Sequence, residues 1–250
     1  MLFRSEQRNE LEKANATKDK FFGIIAHDLR SPASSLLSLI NIVVEEYKNL
    51  DNQQIERYLK AIQEASKKTF ALLENLLDWS RIQKGVIQYN PTLIHLSTLV
   101  NEAVSLHAEI ADKKDIKILS FVSPEAKAWG DENMIRTVLR NLISNAVKFS
   151  STGNKVSVFH ESNQYFVTLK ICDEGIGIAP EDIDKLFRID IHHTTLGTQK
   201  EKGTGLGLVL CKEFTERNGG KIWVESTHGK GTCFYFTIPS PEQGTKKLNL

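Results

Sequence analysis

From Phe22 to Val43 the apolar residues Phe22, Ile25, Leu29, Pro32, Leu36, Leu39 and Val43 follow one another in steps of three and four. Few folds accommodate that spacing. It is the a/d seam of a helix packed lengthwise against another helix. A proline inside such a seam costs ~3 kcal/mol. The Pro32 ring displaces the Asp28 carbonyl and removes one helical hydrogen bond, which predicts a kink. Local violations of this kind gather near functional sites. A break at Asn49-Leu50-Asp51-Asn52 leads into a second helical stretch, from about Gln53 to Lys84. Ile55, Leu59, Ile62, Thr69, Leu73 and Leu76 line one side of it, Ala65, Leu72 and Trp79 widen the stripe, and Gly85 is placed as a C-cap. Two helices of about 30 residues span on the order of 45 Å each, and an isolated pair buries little apolar surface. Doubling the hairpin into a four-helix dimer solves this; packing against the rest of the chain is the alternative. Residues 1–20 are polar, free of Gly and Pro, and read as a helical connector.

Beyond Val86 the texture changes. Leu99 to Ala111 has helical spacing, Ile116–Phe121 looks like a strand, and Asp131 is placed to N-cap a helix running through Phe149. Lys155–His160 and Tyr165–Cys172 alternate like strands paired around a Glu-Ser-Asn-Gln turn. Gly205–Asn218 is helical and stops at Gly219-Gly220. Lys221–Ser226 and Thr232–Ile238 pair across His228-Gly229-Lys230-Gly231. Hairpins mixed with helices predict an α+β fold, with a sheet on one side and helices on the other.

Composition excludes several functions. The 250 residues carry 32 Lys and Arg against 31 Asp and Glu, a net charge of +1, without the electrostatic footprint of a nucleic-acid binder. Cys172, Cys211 and Cys233 are too few and too scattered for a disulfide framework, and no CxxC pair offers a zinc site. A reducing compartment fits that usage. No apolar run approaches the ~18 residues of a membrane span. The charged start, MLFRSEQRNELEK, is unlike a signal peptide. The expectation is a soluble, cytoplasmic polypeptide that could belong to a longer, membrane-anchored protein.

Three features carry chemistry. With Ile25 at d and Leu29 at a, His27 falls at f, on the solvated face farthest from the seam. Asp28 beside it can bind one ring nitrogen and leave the other as a nucleophile, although a lone surface histidine is often polar filler. Next come two glycine clusters: Asp173-Glu174-Gly175-Ile176-Gly177-Ile178 after a strand, and Gly203-Thr204-Gly205-Leu206-Gly207 before a helix. Neither is a Walker A loop or a dinucleotide fingerprint. The second still suits a phosphate cradle, because glycines admit close backbone approach and a helix N-terminus presents free N–H groups. Finally, Asn141, Asn145 and Lys148 share one face of a helix otherwise crowded with Leu139, Leu142, Ile143, Ala146 and Val147. Asparagine oxygens and a lysine on one stripe suit a Mg²⁺–phosphate group, the alternative being a solvated polar stripe. Residues 188–202 lack periodicity and read as a lid, with His192 and His193 on its surface.

Taken together these motifs resemble the sensor histidine kinases of two-component systems. FFGIIAHDLRSP resembles their phospho-acceptor box, NLISNAVKFS the N box, DEGIGI the G1 box, KLF the F box and GTGLGL the G2 box, all in the family's order over about residues 18–240. The resemblance implies a connector (1–20), a dimerisation and histidine-phosphotransfer hairpin (21–86), a Bergerat-type two-layer ATP-binding domain (87–240) and a polar tail (241–250). It implies ATP and Mg²⁺ as cofactors. It also implies a homodimer, a response-regulator receiver domain as partner, and a sensor module upstream of Met1. His27 would be phosphorylated with Asp28 as its base. Asn145, with Asn141 beside it, would hold Mg²⁺, and Lys148 would meet phosphate. Asp173 would accept from the adenine amino group in a pocket shaped by Gly175 and Gly177. Phe187 would anchor the lid and Arg188 would support the γ-phosphate. Gly203, Thr204, Gly205, Leu206 and Gly207 would wrap the phosphates. Many members carry Thr or Asn where this chain has Ser31, four residues after His27; the surviving hydroxyl leaves phosphatase activity open.

Two other readings compete. Gyrase- and MutL-like ATPases share the nucleotide fold but resemble one another in a Glu four residues before the metal-binding Asn, where it activates water; Asn141 stands there and cannot act as a base. The other is a non-catalytic dimer scaffold with a degenerate site, which the complete set of boxes disfavours.

Overall fold

The computed structural model describes residues 23, 26, 29–83, 88–188, 195–199, 201 and 205–243, in two compact units, Met1–Ile87 and Gln88–Leu250. The first unit is helical. Helix α1 covers residues 29–46 and runs uninterrupted through Pro32; a turn leads to α2 (Asn52–Gln83). Asp51 and Gln54 close that turn reciprocally: the Gln54 N–H donates to Asp51 Oδ1 at 2.7 Å and the Asp51 N–H to Gln54 Oε1 at 2.9 Å, a capping box. On α1 the half-buried residues are Leu29, Pro32, Ala33, Leu36, Leu39 and Val43, the expected seam plus Ala33. On α2, Ile55, Ile62, Thr69 and Leu76 are half-buried as expected, whereas Leu59 and Leu73 are exposed. A second apolar stripe, Leu37, Ile40, Val44 and Tyr47, also lies open.

The second unit is an α+β sandwich. In chain order it contains β1 (Pro91–His95), α3 (Leu96–Lys113), β2 (Lys117–Phe121), β3 (Lys127–Asp131), α4 (Glu132–Phe149), β4 (Lys155–Ser162), β5 (Phe166–Asp173), α5 (Pro180–Ile183), α6 (Gly207–Arg217), β6 (Ile222–Thr227) and β7 (Gly231–Pro239). The main sheet runs β2-β4-β5-β7-β6; β2 and β4 are parallel and the other neighbours antiparallel. Alternation puts Val156, Val158, Val167, Leu169, Ile171, Phe234, Phe236 and Ile238 on the inner face. Helix α4, buried through Ile135, Val138, Leu139, Leu142, Ile143 and Ala146, touches β5 and packs between α3 and α6. The outer face shows one side chain per strand in register: Phe121 stacks on Phe159, Lys170 lies over Phe159 and Tyr235, and Tyr235 stacks on Trp223.

The small antiparallel pair β1–β3 has no counterpart among the expected elements, and α5 is likewise new. The cysteine reading needs correction. Cys172 and Cys233 face each other across β5 and β7 and form a disulfide. Sixty-one residues of sequence separate them, so only strand register reveals the pair.

Candidate functional site

Helix α4 begins as its sequence requires: Asp131 Oδ1 accepts from the Met134 N–H at 3.1 Å, a side-chain N-cap. From that start the 3.6-residue period sets Asn141, Asn145 and Lys148 on one half-buried face. The Asn141 amide donates to the Thr137 carbonyl at 3.0 Å, which orients its Oδ1. That oxygen lies against the start of α6: a Cβ on Gly207 would stand 2.6 Å from it. Glycine at 207 therefore lets the N-terminus of α6, where the N-cap is Leu206 with no capping side chain, approach Asn141. Just before it, Gly205 holds φ +68°, a left-handed conformation, and Leu206 is buried.

Asp173 closes β5 at the other side of α4 and is buried. Its carboxyl is pushed up to about 6 by burial, against the pull of the Gly175 and Thr232 backbone N–H groups that donate to it. Space here is tight. A Cβ on Gly175 would overlap the Phe149 carbonyl oxygen, and one on Gly177 would strike the backbone of Thr227. The hairpin between β6 and β7 completes the wall. Its Gly229 N–H donates to the Ile176 carbonyl at 2.7 Å, and Ser226 Oγ accepts from the Ile178 N–H at 2.8 Å. Phe187 packs edge-on against Phe234, ring centroids 6.4 Å apart, and Arg188 follows on the surface.

Lys148 reaches from the end of α4 toward Thr195. Its Nζ donates to the Thr195 carbonyl at 3.2 Å and sits 4.5 Å over the Phe149 ring. Burial lowers its pKa, the Glu201 carboxylate opposes that, and the Lys114 charge adds to it. A second lysine ammonium, Glu201 and the end of α4 thus belong to the site's surroundings, and none of them stood out in the sequence.

Comparison with known proteins identifies the assembly. Residues 17–85 match the His Kinase A (phospho-acceptor) domain, and residues 130–242 match the histidine kinase-, DNA gyrase B-, and HSP90-like ATPase family. The solved catalytic domain of histidine kinase ThkA is 30% identical over 63% of this chain and 99% of its own, with a TM-score of 0.54. The chain belongs to the sensor histidine kinase family. An adaptive-response sensory kinase SasA from Crocosphaera subtropica is 32% identical over 95% of this chain, which spans 64% of that relative's length. ThkA in complex with response regulator protein TrrA has a TM-score of 0.68, covering 97% of this chain and 67% of its own, at 21% identity, a likeness of fold.

Within this member of the family, the structure brings together Asn141, Gly205, Leu206 and Gly207 on one side of the site and Asp173, Gly175 and Gly177 on the other. Lys148 ends the α4 face that Asn141 and Asn145 share. His27, Asp28, Gly203, Thr204, His192 and His193 lie outside the described residues. Ser31 is exposed on α1, where its carbonyl accepts from Ser35 Oγ at 3.1 Å. Among the described residues no cluster of three His, Cys, Asp or Glu could cage a metal. The donor set instead suits a hard cation held in part by phosphate. Asn141 spends its N–H₂ on Thr137 and keeps an oxygen, and the side chain of Asn145, on the same face, makes no hydrogen bond to another described residue. Thr232 escaped sequence reasoning. It stands opposite Asp173 in the β5–β7 register, a relation no local pattern encodes. No described helix is long and apolar enough to cross a membrane.

Proposed function

We propose that this chain is the kinase core that autophosphorylates His27 with ATP and passes the phosphoryl group to an aspartate of a response regulator. The observation that carries this is the two-part site around α4. A buried carboxylate at Asp173, framed by glycines, suits an adenine amino group. One helix face then leads from Asn141 through Asn145 to Lys148, against the glycine-bracketed start of α6, as a phosphate chain requires. The phospho-acceptor match over 17–85 supplies the nucleophile.

In this mechanism Asp173 selects the base and Gly175 and Gly177 shape its slot. Asn145 and the Asn141 oxygen would hold Mg²⁺, which would neutralise developing phosphate charge. Lys148 meets the phosphates as a point charge. Arg188 supports the γ-phosphate, Phe187 anchors the lid, and Gly203, Thr204, Gly205, Leu206 and Gly207 wrap the phosphate tail. Asp28 orients the His27 ring, whose free nitrogen attacks the γ-phosphorus in line, forming the N–P bond as the bond to the β,γ-bridging oxygen breaks and ADP leaves. Hydrolysis in the gyrase manner is disfavoured, because Asn141 offers no base and its amide nitrogen is engaged by Thr137.

The helical unit dimerises in this proposal, and residues 1–20 deliver a signal from a sensor module upstream. The receiver partner draws support from ThkA, which is solved with a response regulator. The chemistry is placed in the cytoplasm, with Ser31 available for a phosphatase role. Incubation with γ-labelled ATP and Mg²⁺ is the test. Acid-labile, base-stable label appears on the wild type, disappears in His27→Ala, and is lost from Asn145→Ala. Label persisting on His27→Ala sinks the assignment.

A further inference from the structure

Lys114 ends α3 within an Ala-Asp-Lys-Lys-Asp run, yet its side chain is only 2% exposed while that of neighbouring Lys113 is 71% exposed. A lysine is almost never buried so deeply unless paired. Its ammonium faces four acceptors: the carbonyls of Val147 (3.2 Å) and Lys148 (3.1 Å), Thr198 Oγ1 (3.0 Å) and Glu201 Oε1 (2.5 Å). The two carbonyls belong to the last turn of α4, where helical partners run out. Every orphan there is served. Ala146 accepts from Ser150, Val147 from Lys114, Lys148 from Lys114 and Thr198, and Phe149 from Ile176 of the Asp173 loop.

Gly197, Thr198 and Glu201 hang on the same knot. Thr198 donates through its N–H to the Lys148 carbonyl and through Oγ1 to the Ser150 carbonyl at 2.7 Å, and the Gly197 N–H donates to the Glu201 carbonyl at 2.8 Å. Burial alone would raise the Glu201 carboxyl. The Lys114 hydrogen bond and charge, with the Gln199 N–H, hold it below the usual range. Two cations therefore sense Glu201: Lys114 through direct contact, and Lys148 through its field.

We infer that Lys114 is a positioning residue for the phosphate half of the site: by occupying Glu201 it keeps Lys148 available to the nucleotide phosphates and ties Thr198 and Glu201 to the end of α4. This rests on the ATP-binding reading above and names a residue that reading does not use. Without the ammonium, an unpaired Glu201 carboxylate would draw the Lys148 ammonium to itself, and the α4 carbonyls would lose their donor. The adenine slot at Asp173 meets the end of α4 only at the Phe149 carbonyl, which the Ile176 N–H holds and Lys114 does not, so the slot would remain.

The test compares ATP with adenosine, which lacks phosphates, by titration calorimetry on the full chain with Mg²⁺. Lys114→Met weakens ATP at least tenfold and leaves adenosine within twofold. Adding Glu201→Gln to Lys114→Met restores ATP binding by threefold or more, because the competing carboxylate is gone. A purely structural role predicts the opposite, a double variant no better than the single. If Lys114→Met does not fold, Lys114→Gln, which keeps a donor and drops the charge, carries the same comparison. Parallel loss of ATP and adenosine, unchanged ATP affinity, or a double variant without recovery each overturns the inference. Absence of phosphohistidine on a wild type that shows these binding shifts overturns the kinase reading and leaves Lys114's role standing.

Discussion

The two units treat their apolar residues differently. In the sandwich, strands and helices close on each other, and side chains as large as Phe236, Leu139, Leu142 and Ile143 are fully buried. In the helical unit Leu72 alone among the described residues is buried, at 2% exposure, while Leu37 is 62% and Val44 72% exposed. One unit has finished its core within a single chain. The other presents stripes along both helices that one copy does not cover. Each such side chain is worth roughly 2 kcal/mol on burial, and a two-fold dimer buries every one twice. If the helical unit pairs as proposed, stability and association are one quantity there and separate quantities in the sandwich.

The largest expected effect breaks the helical half of that contrast. Leu37→Glu combined with Val44→Glu places charges on the open stripe of α1. Sedimentation should show a dimer for the wild type and a monomer for the double variant, with self-association weakened more than a hundredfold. Adenosine affinity, a property of the sandwich, should stay within twofold. A double variant that remains dimeric would mean that this stripe is not the dimer seam.

An effect of comparable size sharpens the other half. Phe236 sits in the middle of β7 with no exposure, so Phe236→Ala should cost about 3–5 kcal/mol by transfer and cavity terms together. Denaturant unfolding should show this loss independent of protein concentration, whereas the transition of the helical unit should move with concentration. A Phe236→Ala transition that depends on concentration would show that the two units do not divide stability in this way.

What could be read beforehand follows the same division between local and distant causes. The seam from Leu29 to Val43 and the Asp131 cap are local periodicities, and both appear in the structure. The Asn141–Asn145–Lys148 face was equally legible, because helical period alone places it. Leu59 and Leu73 were misjudged because a wide apolar stripe does not say which edge is covered. The pair β1–β3 was invisible: Pro91–His95 and Lys127–Asp131 are short, carry a proline and a glycine, and pair residues 32 to 40 positions apart in sequence. The Cys172–Cys233 pair and the facing of Asp173 by Thr232 depend on the same long-range β5–β7 register. Lys114 was the least legible of all. Lys113 beside it pairs on the surface with Glu109, and nothing in the run distinguishes the two.

The smallest effect concerns pH and belongs to the sandwich. Burial lifts the Asp173 carboxyl to about 6 from an ordinary 3.8. The folded protein thus holds a proton there that the unfolded chain releases earlier. Its stabilising contribution is complete below about pH 4 and is lost as pH rises through about 6. Binding has the opposite sign, because an adenine amino group donates more strongly to a carboxylate than to a protonated acid. Adenosine affinity should therefore fall on the order of fivefold between pH 7 and pH 5, the difference between a charged and a neutral acceptor. Adenosine rather than ATP is the probe, since it carries no titrating phosphate. Asp173→Asn should bind weakly and flatly across the same range. Glu56 on the helical unit runs the other way, lowered by its hydrogen bond to Lys60, so any contribution it makes is lost only below the ordinary carboxylate range. A wild-type profile as flat as that of Asp173→Asn would mean that the base does not meet this carboxylate, and the pocket would have to be reassigned while the fold around it stood.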